Sequence, residues 1–322
     1  MSYVLGIDGG GSKTVCVLMD ENRQILSRGE AGASNYQTIG IAAALQSIQS
    51  AIHAAVNTNH WEIQAICLGL AGVGRAADIE VVKNLVKDLQ NNKYIPIVWQ
   101  LQPSNMVICN DALIALVGGI GHSVGIVAAA GTGSIVLGRN HQGEIKRVGG
   151  WGYILGDEGS AYKIAVAGMQ AALKFYDGRE MSTSLIDGFQ QHLGLASIED
   201  LIEVIYRRGW GVKEIAALAQ IVDLAAVSGD EVANQIIDDA VQELVKATAT
   251  VIEAIFSSES VLEVVTTGSL WRSRCKMQER FSVSLGMNYS HVKVIFPRFE
   301  PAYGAGLLAL KSLAGERKII FN

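Results

Sequence analysis

The sequence predicts an α/β protein in which one strand-rich unit occurs twice. Three apolar runs joined by short turns begin the chain, and an alternation of strands and helices follows them. The same order starts again near residue 124. Of the 322 residues, 49% are hydrophobic and 18% are charged, a composition typical of globular proteins. A chain of this length is expected to form two packed domains.

The first copy has the predicted order βββαβαβ. Its helices follow from apolar residues that recur at steps of three and four, and its longest strand is apolar throughout, which favours burial on both faces. The predicted strands are 4–7, 14–19, 25–29, 63–71 and 107–109, and the predicted helices are 38–56 and 78–89.

The second copy repeats this order and adds a long helical region. Its predicted strands are 124–130, 135–139, 145–148, 262–266 and 292–296, with a helical region at about 157–256. Sequence identity between the copies is slight, so the repeat is one of topology. The domains are placed at 1–115, with a C-terminal helix at 302–322, and at 116–301, with a helical insertion at 160–256. Because no Pro-rich linker separates them, two lobes hinged around a cleft are expected.

The first hairpin carries the segment Asp8-Gly9-Gly10-Gly11-Ser12-Lys13-Thr14. Glycines let a backbone approach an anion closely, and successive N–H groups can bind phosphate. Asp8 stands at a strand end and can hold Mg²⁺, which needs one or two carboxylates. The segment is no Walker loop, since Ser12 separates Gly11 from Lys13 and a strand follows. A tight turn without a ligand stays open as the alternative.

A second glycine loop, Gly131-Thr132-Gly133-Ser134, occupies the equivalent hairpin of the second copy. Two such loops could hold a polyphosphate from opposite sides of the cleft. Asp111 lies between them in sequence, at the carboxyl end of a buried strand, where ligands of open α/β sheets bind. A carboxylate there can take the proton of an attacking hydroxyl during phosphoryl transfer. The alternative role of Asp111 is to cap a helix that starts at Ala112.

Three further stretches are candidates for ligand contacts. The glycine-dense stretch 149–161 surrounds Asp157 and Glu158, and its alternative explanation is that one of these carboxylates caps the next helix. Thr266-Thr267-Gly268-Ser269 ends a strand and opens a helix, a position suited to a nucleotide. Asn35 follows a strand in a loop and could bond sugar hydroxyls, or act only as a turn residue.

These motifs resemble those of the BadF/BadG/BcrA/BcrD ATPase family, and within it the N-acetylglucosamine kinases. The resemblance runs from Tyr3 to about Leu310. It is carried by D-G-G-G-S-K-T, by N-D-A after a strand, by A-A-G-T-G-S, by G-G-W-G-x-x-x-G-D-E-G-S-A-Y and by T-G-S-L-W. The resemblance implies a duplicated ribonuclease-H-like fold of the actin and hexokinase type, with its last helix returning to the first lobe. It also implies the use of ATP and Mg²⁺.

The resemblance further implies a role for each motif residue. Asp111 would be the base that activates the sugar 6-hydroxyl, and Asp8 would organise Mg²⁺. The residues implied to contact the phosphates and adenosine are Gly10, Gly11, Ser12, Lys13, Thr14, Gly131, Thr132, Gly133, Ser134, Thr267, Gly268 and Ser269. Those implied to face the sugar are Asn35, Asp111, Gly149, Gly150, Asp157 and Ala161. One difference lies at Gln37, where animal members carry an aromatic residue.

Composition and cysteine usage restrict the class of protein further. The net charge of −5 supplies no basic surface for nucleic acid, and no apolar run approaches the length of a membrane span. The cysteines are Cys16, Cys67, Cys109 and Cys275, without a C-x-x-C pair, and reduced thiols fit a cytoplasmic enzyme. A small sugar is the expected partner, no structural zinc is expected, and a homodimer is left open.

Three alternatives to an N-acetylglucosamine kinase stay open at this point. The first is a kinase of glucosamine or of another amino sugar. The second is an ATPase activator of a dehydratase or reductase, which would need cysteines that bridge an iron–sulfur cluster across a dimer. The third is a sugar sensor without catalysis, against which the presence of both Asp8 and Asp111 argues.

Overall fold

The computed structural model describes residues 2–57, 60–207, 209–256 and 261–315. Within them the chain forms two compact units. One is drawn from Met1–Val127, Arg139–Ile145 and Pro297–Asn322, and the other from Ala128–Gly138 and Lys146–Phe296. Compactness alone does not show that either unit folds independently, so the domain limits at 115 and 301 stay a prediction.

The described strands form two sheets. The first sheet contains β1 (Tyr3–Gly9), β2 (Thr14–Asp20), β3 (Ile25–Ala31), β4 (Trp61–Leu70), β5 (Ile97–Trp99) and β6 (Met106–Asn110). The second contains β7 (Gly125–Ala130), β8 (Ser134–Arg139), β9 (Ile145–Gly149), β10 (Leu262–Thr267) and β11 (Val292–Ile295).

The described helices are distributed between the two units. The first unit contains α1 (Tyr36–Ile39), α2 (Ile41–Val56), α3 (Ala76–Asn91), α4 (Asp111–Ile120) and, far later in the chain, α12 (Pro301–Leu313). The second contains α5 (Ala161–Tyr176), α6 (Leu185–Leu193), α7 (Leu201–Arg207), α8 (Val212–Ala217), α9 (Ala219–Val227), α10 (Glu231–Ile255) and α11 (Met277–Asn288).

Both sheets have the same strand order, which confirms the predicted duplicated α/β fold. The first runs β3-β2-β1-β4, with β5 and β6 both paired to β4, and the second runs β9-β8-β7-β10-β11. Counted within each copy, the third, second, first and fourth strands are neighbours in both sheets. In the first sheet β1 pairs antiparallel with β2 and parallel with β4, and β4 pairs parallel with β6. The carboxyl ends of β1, β4 and β6 therefore meet at one edge.

The predicted helix 38–56 is two helices in the structure. Gly40 separates α1 from α2 and has φ 83°, a left-handed conformation that ends the first helix. The other differences are small: β5 is a strand of three residues that sequence periodicity did not reveal, and the long helical region begins at Ala161. Part of the predicted C-terminal helix, 316–322, lies outside the described residues.

Helix α12 belongs to the first unit and packs there through glycine contacts. A Cβ atom on Gly6 of β1 would collide with the backbone of Ala302 and Gly306. A Cβ atom on Gly304 would collide in the same way with Ile114 and Gly118 of α4. Close packing of this kind needs the absence of side chains at these positions. It places Glu300, the residue just before α12, at the edge where β1 ends.

The core of the first unit lies between the sheet and helices α2 and α3. It is formed by fully buried aliphatic side chains such as Leu5, Leu18, Ile48, Ile66 and Leu68, whose burial is the main stabilising contribution. None of the described helices combines the length and apolar character that crossing a membrane requires.

Candidate active site

The turn between β1 and β2 is tied to the loop that carries Asn35. The N–H of Gly10 donates to the carbonyl of Lys13 at 2.9 Å, which closes the hairpin. The carbonyl of Gly10 accepts from the N–H groups of Ser34 and Asn35 at 3.0 and 3.2 Å. The predicted phosphate hairpin and the predicted sugar residue Asn35 are thus brought together within the first unit.

Thr14 supports the neighbouring loop from inside the first unit. Its side chain is fully buried, and its hydroxyl lies 2.7 Å from both the Gly32 carbonyl and the Ser34 hydroxyl. Because these partners engage the hydroxyl within the protein, Thr14 fixes the loop that carries Asn35. Ser12 and Lys13 are exposed, and Lys13 makes an ion pair with Glu30 at 3.4 Å.

The three hairpin glycines differ in the space that would be available to a side chain at each position. A Cβ atom on Gly9 would collide with Leu70 and the Ser34 hydroxyl, so packing demands glycine there. Gly10 lies outside the left-handed region of backbone conformation, and a Cβ atom there would meet only the Lys13 carbonyl oxygen at 3.5 Å. Nothing lies within 4 Å of a Cβ atom on Gly11. The space over Gly10 and Gly11 is therefore free for a ligand.

Asp8 stands at the carboxyl end of β1 among other charges. Burial, together with the carboxylates of Asp111 and Glu300, raises the pKa of Asp8 to about 7, against the opposing effect of Lys13 and Arg28. The Arg28 guanidinium is held between Glu300, at 3.2 Å, and Glu30, at 2.9 Å. The carboxylates of Asp111 and Glu300 thus oppose the ionisation of Asp8, and a cation beside Asp8 would favour its charged form.

Asp111 is the first residue of α4, directly after β6. The N-cap is Asn110, whose side-chain oxygen accepts from the Ala112 N–H at 2.9 Å, so the alternative explanation of Asp111 as the cap is wrong. One Asp111 oxygen, Oδ1, also accepts from the Ala112 N–H, at 2.9 Å. Burial raises the pKa of Asp111, and the backbone hydrogen bonds oppose this rise. A carboxylate with a raised pKa is a better proton acceptor.

The carboxylates near Asp8 are oxygen ligands of the kind that Mg²⁺ takes from a protein. Among the described residues, no group of three or more His, Cys, Asp or Glu side chains is placed to hold a metal. Mg²⁺ in phosphoryl-transfer enzymes usually has one or two carboxylates, several waters and the substrate phosphates as ligands. Asp8, whose pKa is raised by burial and by the neighbouring carboxylates, is the group whose charge such an ion would balance.

Asn35 is the N-cap of α1, and its side chain accepts from the Gln37 N–H at 3.2 Å. Gly72, in the turn after β4, lies against it: a Cβ atom on Gly72 would be 2.8 Å from Asn35 Oδ1. The Gln37 amide donates to the Gly72 carbonyl at 2.5 Å. Gln37 therefore holds the Asn35 loop to the turn after β4.

Asp78 is a buried carboxylate close to the residues that follow Asn35. The sequence analysis did not identify it as a candidate. Its oxygens accept from the Tyr36 hydroxyl at 2.7 Å, from the backbone N–H groups of Gly74 and Arg75 at 3.1 and 2.8 Å, and from the Arg75 guanidinium at 2.9 and 3.1 Å. The Arg75 hydrogen bonds are the main cause that lowers the pKa of Asp78 well below its usual range.

In the second unit, the loop 131–134 lies against the start of α5 and the end of β10. The N–H of Ala161 donates to the Gly131 carbonyl at 2.8 Å. Gly268 has φ 108°, and a Cβ atom there would collide with the Ala130 carbonyl and approach the Gly131 nitrogen to 3.1 Å. Three predicted ligand-contact segments are therefore adjacent in the second unit. Within them, Thr132, Gly268 and Ser269 are exposed to solvent.

Ser134 and Asp157 fix this loop from inside the second unit. The Ser134 hydroxyl donates to the Glu158 carbonyl at 2.7 Å, which joins the loop to the segment before α5. Asp157 is buried with φ 60°, and its carboxylate lies against Gly133, where a Cβ atom would be 2.7 Å from Oδ2. Burial raises the pKa of Asp157, against N–H bonds from Ser134 and Gly152. The N-cap of α5 is Ser160, which overturns the explanation of Asp157 or Glu158 as the helix cap.

Gly149 ends β9 and Gly150 follows it, with φ values of 75° and 70°. Two successive residues in the left-handed region require glycine, and a Cβ atom on Gly150 would also meet Ile135 at 2.8 Å. Beside Gly149, a Cβ atom would find its first neighbour only at 3.7 Å. This backbone is therefore rigidly shaped and can be approached from its Gly149 side.

The chain belongs to the BadF/BadG/BcrA/BcrD ATPase family, whose model matches residues 5–309. It is 35% identical over 312 residues to an N-acetylmuramic acid/N-acetylglucosamine kinase of Clostridium acetobutylicum, covering 96% of this chain and 98% of the relative. It is 33% identical over 323 residues to an N-acetyl-D-glucosamine kinase of Dictyostelium discoideum, again covering 96% and 98%.

A solved structure of a protein from Chromobacterium violaceum has the same fold. The alignment covers 96% of this chain and 99% of that protein, with a TM-score of 0.74 and 24% sequence identity. Together with the two sheets of equal strand order, this likeness supports the fold class that the sequence predicts.

Proposed function

We propose that the protein is an ATP-dependent sugar kinase that transfers the γ-phosphoryl group to the 6-hydroxyl of N-acetylglucosamine. The observation that carries the proposal is the position of Asp111, directly after the carboxyl end of β6. Asp111 is close enough to Asp8, at the end of β1, for its charge to contribute to the raised pKa of Asp8. Membership of an ATPase family and two amino-sugar kinases at 33% and 35% identity support it.

Asp111 is the proposed general base. Its carboxylate would accept the proton of the 6-hydroxyl as the oxygen attacks the γ-phosphorus, and the leaving ADP oxygen would depart in line with that attack. Asn110 caps α4 and so leaves the Asp111 carboxylate available for this role.

Nucleotide binding is assigned to the glycine loops. The open space over Gly10 and Gly11 would admit phosphate oxygens to the hairpin backbone beyond Gly10, whose own N–H donates to Lys13. The loop from Gly131 to Ser134 would supply a second set of contacts to the phosphates. Thr267, Gly268 and Ser269 would lie beside the adenosine. When bound, Mg²⁺ at Asp8 would neutralise charge on the transferring phosphoryl group.

Sugar binding is assigned to polar and small residues. Asn35 and Asp111 would bond hydroxyls, and Gly149, Gly150, Asp157 and Ala161 would leave room for the acetamido group. Burial of all four cysteines disfavours the alternative of an activator that shares an iron–sulfur cluster between protomers, because its ligands must reach the surface.

The test is a panel of sugars assayed with ATP and Mg²⁺ by coupled ADP release. N-acetylglucosamine is expected to have a higher kcat/KM than glucosamine, N-acetylmannosamine and glucose. A pocket that pairs the acetamido group leaves polar atoms unsatisfied when that group is missing. If glucosamine is preferred by about tenfold, equivalent to about 1.4 kcal/mol, the substrate is wrong and the kinase assignment stands. No ADP release above the rate without sugar would contradict both.

A further inference from the structure

A cavity of about 1250 Å³ lies within the first unit, apart from the candidate active site. It lies beside the amino end of β6, where Met106 and Val107 line it. Asp111 follows the opposite, carboxyl end of the same strand. Among the described residues that line the cavity, none is proposed to contact nucleotide or sugar. The cavity is therefore a separate space, and it is larger than a single phosphate ion needs.

Positively charged side chains line this cavity from three elements of the first unit. They are Lys83 and Lys87 of α3, Arg139 at the end of β8 and Lys311 of α12. The described residues of the lining include no aspartate or glutamate, although the whole chain has 31 acidic residues and only 26 lysines and arginines. A cleft lined by charges of one sign concentrates ions of the opposite sign, so this cavity favours an anion.

One buried residue, Ser123, orients two of these cations at the cavity. The Arg139 guanidinium donates through Nη1 to the Ser123 carbonyl at 3.0 Å, and the Lys311 ammonium donates to the Ser123 hydroxyl at 3.0 Å. Cations held against one residue can bind the same anionic group. Their hydrogen bonds to Ser123 also reduce the side-chain freedom that would be lost on binding.

Lys83 and Lys87 stand one helical turn apart, so they lie on the same side of α3. Both side chains are exposed. Lys83 forms an ion pair with Glu80, whereas Lys87 donates to the neutral side chain of Asn84 at 3.4 Å. Like charges at this spacing destabilise a helix. An anion in the cavity would offset that repulsion.

The cavity also has an apolar wall. Half-buried apolar side chains contribute to it from α3, from the segment around the start of β6 and from the turn before β7; they are Ile79, Leu101, Met106 and Val124. Ligand pockets are usually lined largely by such side chains, with a few polar groups that fix the orientation of the ligand. This wall is suited to an organic ring beside the charged group.

We propose that this cavity binds a small molecule in which a phosphate or pyrophosphate group is joined to an organic ring. The phosphate oxygens would accept hydrogen bonds from the lysine and arginine side chains of the lining, which are the residue types that proteins use for phosphate. The ring would lie on the apolar wall. This site is additional to the proposed nucleotide and sugar contacts, and its existence does not depend on the proposed reaction.

The test is calorimetry with two probes, uridine diphosphate and inorganic pyrophosphate, on wild type, Lys83→Gln/Lys87→Gln and Gly10→Val. The double substitution is expected to raise Kd for uridine diphosphate by about tenfold or more, because it removes two charged hydrogen-bond donors. Gly10→Val should still bind this probe, because the hairpin does not line the cavity. Pyrophosphate should bind more weakly than uridine diphosphate, since it cannot use the apolar wall, and added salt should weaken both.

Lys174→Gln is the matched control, because Lys174 is also paired with a glutamate and both it and Lys83 are 46% exposed. It should change Kd by less than about twofold. The thermal unfolding midpoint and kcat with N-acetylglucosamine should be unchanged in the double variant, which would exclude misfolding as the cause of weaker binding.

The other outcomes contradict the proposal. If the double variant binds uridine diphosphate as wild type does, or if Gly10→Val alone abolishes binding, the probe binds elsewhere and the cavity site is wrong. Absence of binding to wild type would also contradict it. Equal Kd values for the two probes would contradict the role of the apolar wall. None of these results bears on the kinase assignment, which the sugar panel tests separately.

Discussion

Asp111→Asn is expected to lower kcat by about 10²- to 10⁴-fold, the usual contribution of a general base. The amide has nearly the shape of the carboxylate and cannot accept the proton of the sugar hydroxyl. The fold should persist, because Asn110 caps α4 and the amide oxygen can still accept from the Ala112 N–H. Removal of a carboxylate from the neighbourhood of Asp8 also relieves repulsion there.

Three measurements separate chemistry from folding in this variant: steady-state kcat, sugar affinity by calorimetry and the thermal unfolding midpoint. Glu300→Gln is the matched control, since it removes another carboxylate that acts on Asp8 and has no proposed part in proton transfer. It should lower kcat by less than about tenfold. Near-normal turnover in Asp111→Asn would leave Asp111 as a structural residue of α4 alone.

Gly10→Val is expected to weaken binding of an ATP analogue by about 100-fold or more, the equivalent of one or two lost charge-assisted hydrogen bonds. A branched side chain would fill the space over the hairpin that the phosphates are proposed to occupy. The backbone tolerates the change, since Gly10 is outside the left-handed region and a Cβ atom meets only Lys13 O, at 3.5 Å. Sugar binding should therefore be nearly unchanged.

Calorimetry with the nucleotide analogue and with the sugar, each measured separately, checks this result. Gly32→Val is a suitable control, because a Cβ atom there also has its first contact at 3.5 Å, with Ser47. Gly9→Ala should behave differently and destabilise the fold, because its Cβ atom would collide with Leu70 and Ser34. Equal loss of nucleotide and sugar binding in Gly10→Val would point to misfolding and remove the support for a phosphate site.

The duplicated fold was predictable because strand patterning is a local property of the chain. Apolar runs and glycine turns located ten of the eleven described strands, and the repeated order of the strands indicated two sheets. The exception, β5, has only three residues, two of them partly buried and one exposed. It pairs with β4 through tertiary position, which local periodicity does not encode.

The residues of the candidate site that could be predicted are those that belong to a recognisable sequence motif. Asp8, Asn35 and Asp111 were found from their places after strands, and the structure gathers them at one edge of the first sheet. Glu300 and Asp78 were not found, because their positions arise from packing. Glu300 lies near Asp8 because α12 packs against β1. Asp78 lies near the Asn35 loop because α3 follows the turn after β4. An arginine three residues before a helical aspartate was the one available signal for Asp78.

Two hydroxyls of the glycine loops are engaged inside the protein. Thr14 and Ser134 occupy equivalent places in the two hairpins, and each bonds to a carbonyl of its own unit. A hydroxyl in a glycine loop is equally consistent with ligand binding and with support of the loop. Only the burial and partners of the side chain distinguish these roles.

The most direct test of the account is to identify the product formed from N-acetylglucosamine, ATP and Mg²⁺. Nuclear magnetic resonance of phosphorus and carbon locates the new phosphate ester. The account predicts one ester at the 6-oxygen, formed in equal amount to ADP and lost in Asp111→Asn. A phosphate at the anomeric oxygen, or ADP accompanied only by inorganic phosphate, would contradict it.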